Sequence, residues 1–166
     1  KNKENIAKYI PSNIENKIIN INHKIYFKLL KYKINTDKYL NKYLDVDEGI
    51  EYRLQKFINN SASLDEFINN IKTKRYTYNK LNRMFIHILI SLEKNDNKKL
   101  DYIKILGFNK KGKDYLNKLN KLGISTIVNK NSIQYKYELK ASLIYDLINN
   151  TNTYEFELKN KPVIKD

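Results

Sequence analysis

Residues Lys72–Leu92 read KTKRYTYNKLNRMFIHILISL, and the fold turns on that stretch. Its second half sets Leu81, Met84, Phe85, Ile88, Leu89 and Leu92 at helical spacing, the inward face of an amphipathic helix. Ile86 and Ile90 widen the apolar surface, so the spacing predicts a central helix with little of its circumference in water. The first half differs in kind. Lys72, Lys74, Arg75 and Lys80 crowd around Tyr76, Thr77 and Tyr78, and Thr77 suits an N-cap. Free backbone N–H groups at a helix start favour anions, so a cationic and aromatic cluster there suits phosphate. Lysines ahead of a helix are also commonly just solvated, and pattern alone leaves both readings open.

Composition narrows the field. A chain of 166 residues fits one domain, or one with a small appendage, and 41% apolar residues are enough for a real core. The absence of cysteine excludes disulfides and thiolate metal sites and agrees with a reducing cytoplasm. The longest apolar run, Met84 to Leu92, is too short for a bilayer and is broken by His87. No signal peptide is present, so a cytoplasmic protein without membrane contact is expected. Lys1 falls in a helical-looking stretch, which suggests a piece of a longer protein.

The net charge of +14 points toward nucleic acid. Lysine, asparagine and isoleucine dominate throughout, however, as AT-rich coding would produce, which discounts part of that charge. Only Arg53, Arg75 and Arg83 are arginine among the 32 basic residues. Where drift favours lysine, a retained arginine hints at a need for a planar, two-pronged donor, although buried ion pairs use arginine too.

Along the chain, Asn2–Tyr9 reads as the tail of a helix ending before Pro11, and Ser12 to Glu15 has capping-box spacing for the next. A helix over His23–Ile34 has two candidate inner faces, Ile25, Leu29 and Tyr32 or Phe27, Leu30 and Ile34. A shorter helix is expected over Asp37–Leu44. Asp45 and Glu48 look like the start of a helix over Glu48–Asn60 with Ile50, Leu54, Phe57 and Ile58 inward. Ser63 and Glu66 form another capping box ahead of Leu64–Lys72. Beyond a polar link, Tyr102–Phe108 reads as a strand, Asn109 caps a helix to about Leu122 with Gly123 behind it, and Ser125–Val128 reads as a second strand. That is a β-α-β unit. Tyr137–Asn149 is a final amphipathic helix, and Tyr154–Asp166 looks extended. The expected fold is mainly α: a helical bundle over residues 1–97 with a small α/β subdomain over 98–166 packed on it.

Signatures of catalysis are nearly absent. Gly49, Gly107, Gly112 and Gly123 are too scattered for a phosphate-cradling loop. His23 sits in a polar turn, and His87 shares a helix face with Arg83 as a core or rim histidine would. Asp45–Gly49 resembles a calcium-loop fragment, but its spacing fits helix capping better. No catalytic, cofactor or metal residue is predicted. The nucleic-acid candidates are Lys72, Lys74, Arg75, Tyr76, Lys80 and Arg83, with Tyr76 either stacking on an unpaired base or packing at a core edge. Glu48 and Glu51 are candidate partners for Arg53 or Arg75.

Several runs resemble the carboxy-terminal half of the tRNA(Met) cytidine acetate ligase family. They are DVDEGIEYRL (Asp45–Leu54), KTKRYT (Lys72–Thr77) and L-x-R-x-x-x-H-I-L (Leu81–Leu89). YFKLLKYKI (Tyr26–Ile34), ILGFNKKG (Ile105–Gly112), KASLIY (Lys140–Tyr145) and KPVI (Lys161–Ile164) follow the same family order. The family pattern often has arginine where Lys80 and Lys140 stand. The resemblance implies a bacterial enzyme that uses ATP and acetate to form acetyl-adenylate and acetylates N4 of the wobble cytidine of elongator tRNA(Met). This chain has no HIGH motif, so the resemblance implies a tRNA-binding region with no cofactor of its own, partnered by an amino-terminal nucleotidyltransferase domain and inactive alone. The competing reading is a helical module for protein contact or dimerisation without RNA.

Overall fold

The computed structural model describes residues 21–96, 100–159 and 161–165. The helices expected over Asn2–Tyr9 and from Ser12 onward lie outside the described residues. Helix α1 (His23–Thr36) starts where the Asn22 side chain accepts from the Ile25 amide, 3.2 Å away. Of its two candidate faces, the one carrying Phe27, Leu30 and Ile34 is buried, joined by Tyr26, while Tyr32 stands in solvent. The helix expected over Asp37–Leu44 shrinks to a single 3-10 turn, Leu40–Lys42. Tertiary bonds take over there: the Tyr43 hydroxyl donates to Asp37, and the Leu44 amide donates to Leu92 O at 2.9 Å.

Helix α2 (Ile50–Ile58) buries Ile50, Leu54 and Ile58. Helix α3 (Leu64–Ile71) follows its capping box, with Ser63 Oγ accepting from Glu66 N (3.2 Å) and Glu66 Oε2 from Ala62 N (2.8 Å). All of Leu64, Phe67, Ile68 and Ile71 are inside. Helix α4 (Tyr78–Ile90) is the central element: Leu81, Met84, Phe85 and Ile88 are each fully buried. Its flank is wetter than expected, because Ile86 is 44% exposed. Thr77 holds the N-cap position without a side-chain bond. Phe67 ties the layers together, its ring centroid 5.8 Å from Phe27 and 5.6 Å from Phe85. Each such buried apolar side chain contributes about 1.5–3 kcal/mol through removal from water.

Helix α5 (Lys110–Lys121) begins where Asn109 Oδ1 accepts from Gly112 N at 2.9 Å, and Gly123 follows it with φ +74°. Helix α6 (Ile133–Asn149) starts earlier than Tyr137 because Ser132 Oγ caps it, accepting from Tyr135 N at 3.1 Å. Ile148 of α6 belongs to the same core as α1–α4. Helix α7 (Thr153–Lys159) stands where extended chain was expected. Asp146 of α6 makes it possible by accepting from the amides of Thr153 and Tyr154, both at 2.7 Å.

The expected β-α-β unit is corrected. Strand β1 is only Gly107–Phe108, and its parallel partner is β2 (Val163–Ile164), with Gly107 opposite Val163 and Phe108 opposite Ile164. Upstream, the backbone of Asp101 and Tyr102 is bonded to the Gln134 side chain instead of to a strand. Ser125–Val128 forms no strand; its backbone is tied to the upstream segment by the Ile103 amide, which donates to Ser125 O at 2.9 Å. A Cβ at residue 107 would stand 2.9 Å from Val163 O, so glycine permits this close pairing. The described residues are mainly α, with seven α-helices and one two-stranded parallel sheet.

Candidate nucleic-acid interface

The acids of the Asp45–Gly49 loop do not cap α2; they are held from outside. Asp45 and Glu48 adopt left-handed backbone, φ 66° and 57°, and Gly49 follows at 79°. Non-glycine residues enter that region at a cost, so the loop needs external restraint. Arg83 supplies part of it, with Nε 2.7 Å from Asp45 Oδ2 and Nη2 3.3 Å from Oδ1. His87 Nδ1 lies 3.1 Å from Asp45 Oδ2 but out of hydrogen-bond alignment. Arg75 pairs with Glu48. Lys94 Nζ donates to Val46 O at 2.9 Å and sits 2.7 Å from Asp47 Oδ1. Val46 is the loop's buried anchor.

Tyr76 closes the clamp from within. It is 5% exposed, and its hydroxyl donates to Asp47 O at 2.6 Å. Burial, followed by the nearby Glu48 and Asp47 charges, raises its pKa, which keeps that donor protonated. The Lys80 ammonium lies 4.4 Å from the ring centroid. Of the two roles open to Tyr76, the geometry realises packing, since little ring surface remains for a base.

The six candidate residues therefore divide. Arg75, Tyr76 and Arg83 converge on one loop, although both arginine side chains remain mostly exposed, 67% and 62%. Lys80 covers Tyr76. Lys72 and Lys74 are exposed and point no charge into the clamp. Arg53 donates to Asn70 O at 3.0 Å, joining α2 to α3, and so does not pair with Glu48. A shallow cavity of about 240 Å³ lies between Arg53, Arg75, Thr73 and Gly49, beside the clamp. Lys94 escaped the sequence reading, for it is one lysine among many and its partners stand about fifty residues upstream. This surface can attract and orient an anion; it brings together no nucleophile and base. Among the described residues no group of three or more His, Cys, Asp or Glu could hold a metal, and no helix is long and apolar enough to cross a membrane.

Residues 1–161 match the family model for HIGH nucleotidyl transferases, and the chain belongs to that family. Its relatives carry a more particular name. The chain is 40% identical to the tRNA(Met) cytidine acetate ligase of Caldicellulosiruptor bescii over 74% of this chain and 34% of that protein. It is 37% identical to that of Bacillus subtilis over 81% and 35%, and 33% identical to that of Staphylococcus haemolyticus over 98% and 45%. The chain thus spans less than half the length of these relatives. The crystal structure of Thermotoga maritima TmcAL bound with alpha-thio ATP shares the fold, at TM-score 0.67 and 20% identity over 82% of this chain and 40% of that one. The family match corrects the expectation that these residues stand apart from the nucleotidyltransferase part: residues 1–161 fall inside the nucleotidyltransferase model itself. The separate partner domain built on that expectation loses its basis.

Proposed function

We propose that this chain serves a tRNA(Met) cytidine acetate ligase, an ATP-using cytoplasmic enzyme, and supplies a surface that holds the tRNA. The observation that carries the reading is the identity of 33–40% to ligases of that name across 74–98% of this chain. The clamp gives it a physical form. Arg75 and Arg83 fix the Asp45–Gly49 loop on one side and keep exposed charge on the other, while Lys72 and Lys74 lie free at the approach to α4. Lys80 adds charge over Tyr76. Together these residues offer the RNA backbone a set of cations at a helix start, a contact that positions the substrate without reading bases.

A gel-shift titration of the 166-residue chain against tRNA(Met) and other tRNAs across a salt series tests this. Lys72→Gln with Lys74→Gln should weaken binding and flatten its dependence on salt, each lost phosphate contact lowering the log–log slope by about 0.7–0.9. Unchanged affinity and slope would remove these lysines from the interface. The competing reading, protein contact without RNA, draws on an apolar groove of about 350 Å³ between α1, α4 and α6, lined by Tyr26, Ile86, Leu89 and Ile144. Absence of any tRNA shift at low salt would favour it.

A further inference from the structure

Helix α5 carries charge that its own chain does not answer. It holds Lys110, Lys111, Lys113, Lys118 and Lys121 against one acid, Asp114. None of the five lies within ion-pair distance of a carboxylate among the described residues, in contrast to Arg75, Arg83 and Lys94. At helical spacing Lys111, Tyr115 and Lys118 form one stripe, each about a turn from the next. Tyr115 is 62% exposed, an aromatic ring left in water about one helical turn from each of the two lysines. Next to it lies an open cleft of about 550 Å³ lined by Phe108, Leu116 and Val163, with Asn109 and Lys165 as polar lining.

We propose that this face of α5 and its cleft bind an unpaired stretch of RNA, with phosphates on Lys111 and Lys118 and a base against Tyr115. The proposal rests on the RNA reading above and adds a second contact with a stated preference for single strand. Duplex RNA buries its base faces and offers only backbone and groove, so it can satisfy the lysines but not the tyrosine. A splayed base has a free π-face, which an exposed tyrosine flanked by cations can take.

The test titrates the 166-residue chain with a labelled single-stranded RNA and with the matching duplex, across a salt series. Tyr115→Ala should weaken single-strand binding about tenfold at unchanged salt slope, while Tyr115→Phe keeps it. Lys111→Gln with Lys118→Gln should lower the single-strand slope by about 1.4. Far-UV circular dichroism of each variant confirms that α5 remains helical. Equal affinity of Tyr115→Ala and the parent, or equal affinity for duplex and single strand, overturns the base contact. The Lys72/Lys74 double variant separates the two readings. If it alone loses RNA, the α5 site falls and the function stands; if only the α5 variants lose RNA, the α5 site stands and the lysine assignment falls. A parent chain that binds no RNA overturns both.

Discussion

Arg83 meets Asp45 side-on, through two nitrogens on two oxygens, across 38 residues of sequence. Because Asp45 sits at φ 66°, the pair fastens a loop whose backbone does not favour its own conformation. Arg83→Ala should therefore loosen residues 43–49 locally while the core stays closed. Hydrogen exchange should show faster exchange at the Leu44 amide, with the α3 amides unchanged. Unaltered exchange in the loop would mean that Tyr76 and Lys94 hold it unaided.

Gly49 occupies the last left-handed position of that loop, and a Cβ there meets only a Tyr52 carbon at 3.7 Å. Space is available; conformation is not. Gly49→Ala should cost about 1–2 kcal/mol in urea unfolding, because an L-residue is strained at that φ. A neutral result would show that the turn relaxes to negative φ.

Phe85 and Phe67 lie stacked and fully buried at the junction of α3 and α4. Phe85→Ala should destabilise the chain by about 3–5 kcal/mol, combining lost transfer energy with an unfilled cavity. Chemical denaturation followed by circular dichroism measures this, and a loss below 1 kcal/mol would show that the core collapses around the deletion.

Asp146 and Asp37 set the response to acid. Burial works to raise both, yet hydrogen bonds outweigh it. Thr151, Thr153 and the α7 amides hold Asp146 at about 2, and Tyr43, Tyr39 and Lys33 hold Asp37 at about 2. Both pKa values lie below the ordinary 3.8, so their contribution is fully present above that pH and is lost as pH falls from 3.8 toward about 2. Thermal melts across that window should show a falling midpoint, less steep in Asp146→Asn. At neutral pH Asp146→Ala should cost about 1–2 kcal/mol by uncapping α7.

How far the sequence was legible follows from where each signal lies. Helices α3 and α5 could be read with their caps, because Ser63 and Asn109 bond to amides three residues away. The buried face of α4 could be read because Leu81, Met84, Phe85 and Ile88 repeat at a local period. Helix α7 could not, since Asp146 caps it from another helix. Strand β2 could not, since two residues carry no period and their partner is remote. In the candidate site, Lys72, Lys74 and Arg75 stood out by composition. Glu48 was open as a partner of Arg75, and the two do pair. The pairing of Asp45 with Arg83 could not be read, because an acid before a helix looks like a cap until the tertiary structure brings the arginine to it.

The pairing of β1 with β2 also orders events on the ribosome. Helices α1–α4 find most of their partners among neighbours and can close early, whereas Gly107 and Phe108 must wait until Val163 and Ile164 have been synthesised and have cleared the exit tunnel. During translation α6 can already join the core of α1–α4 through Ile148, whereas β1 waits for its partner. A ribosome that stalls shortly before Val163 would leave β1 without its partner and α5 with no fixed seat.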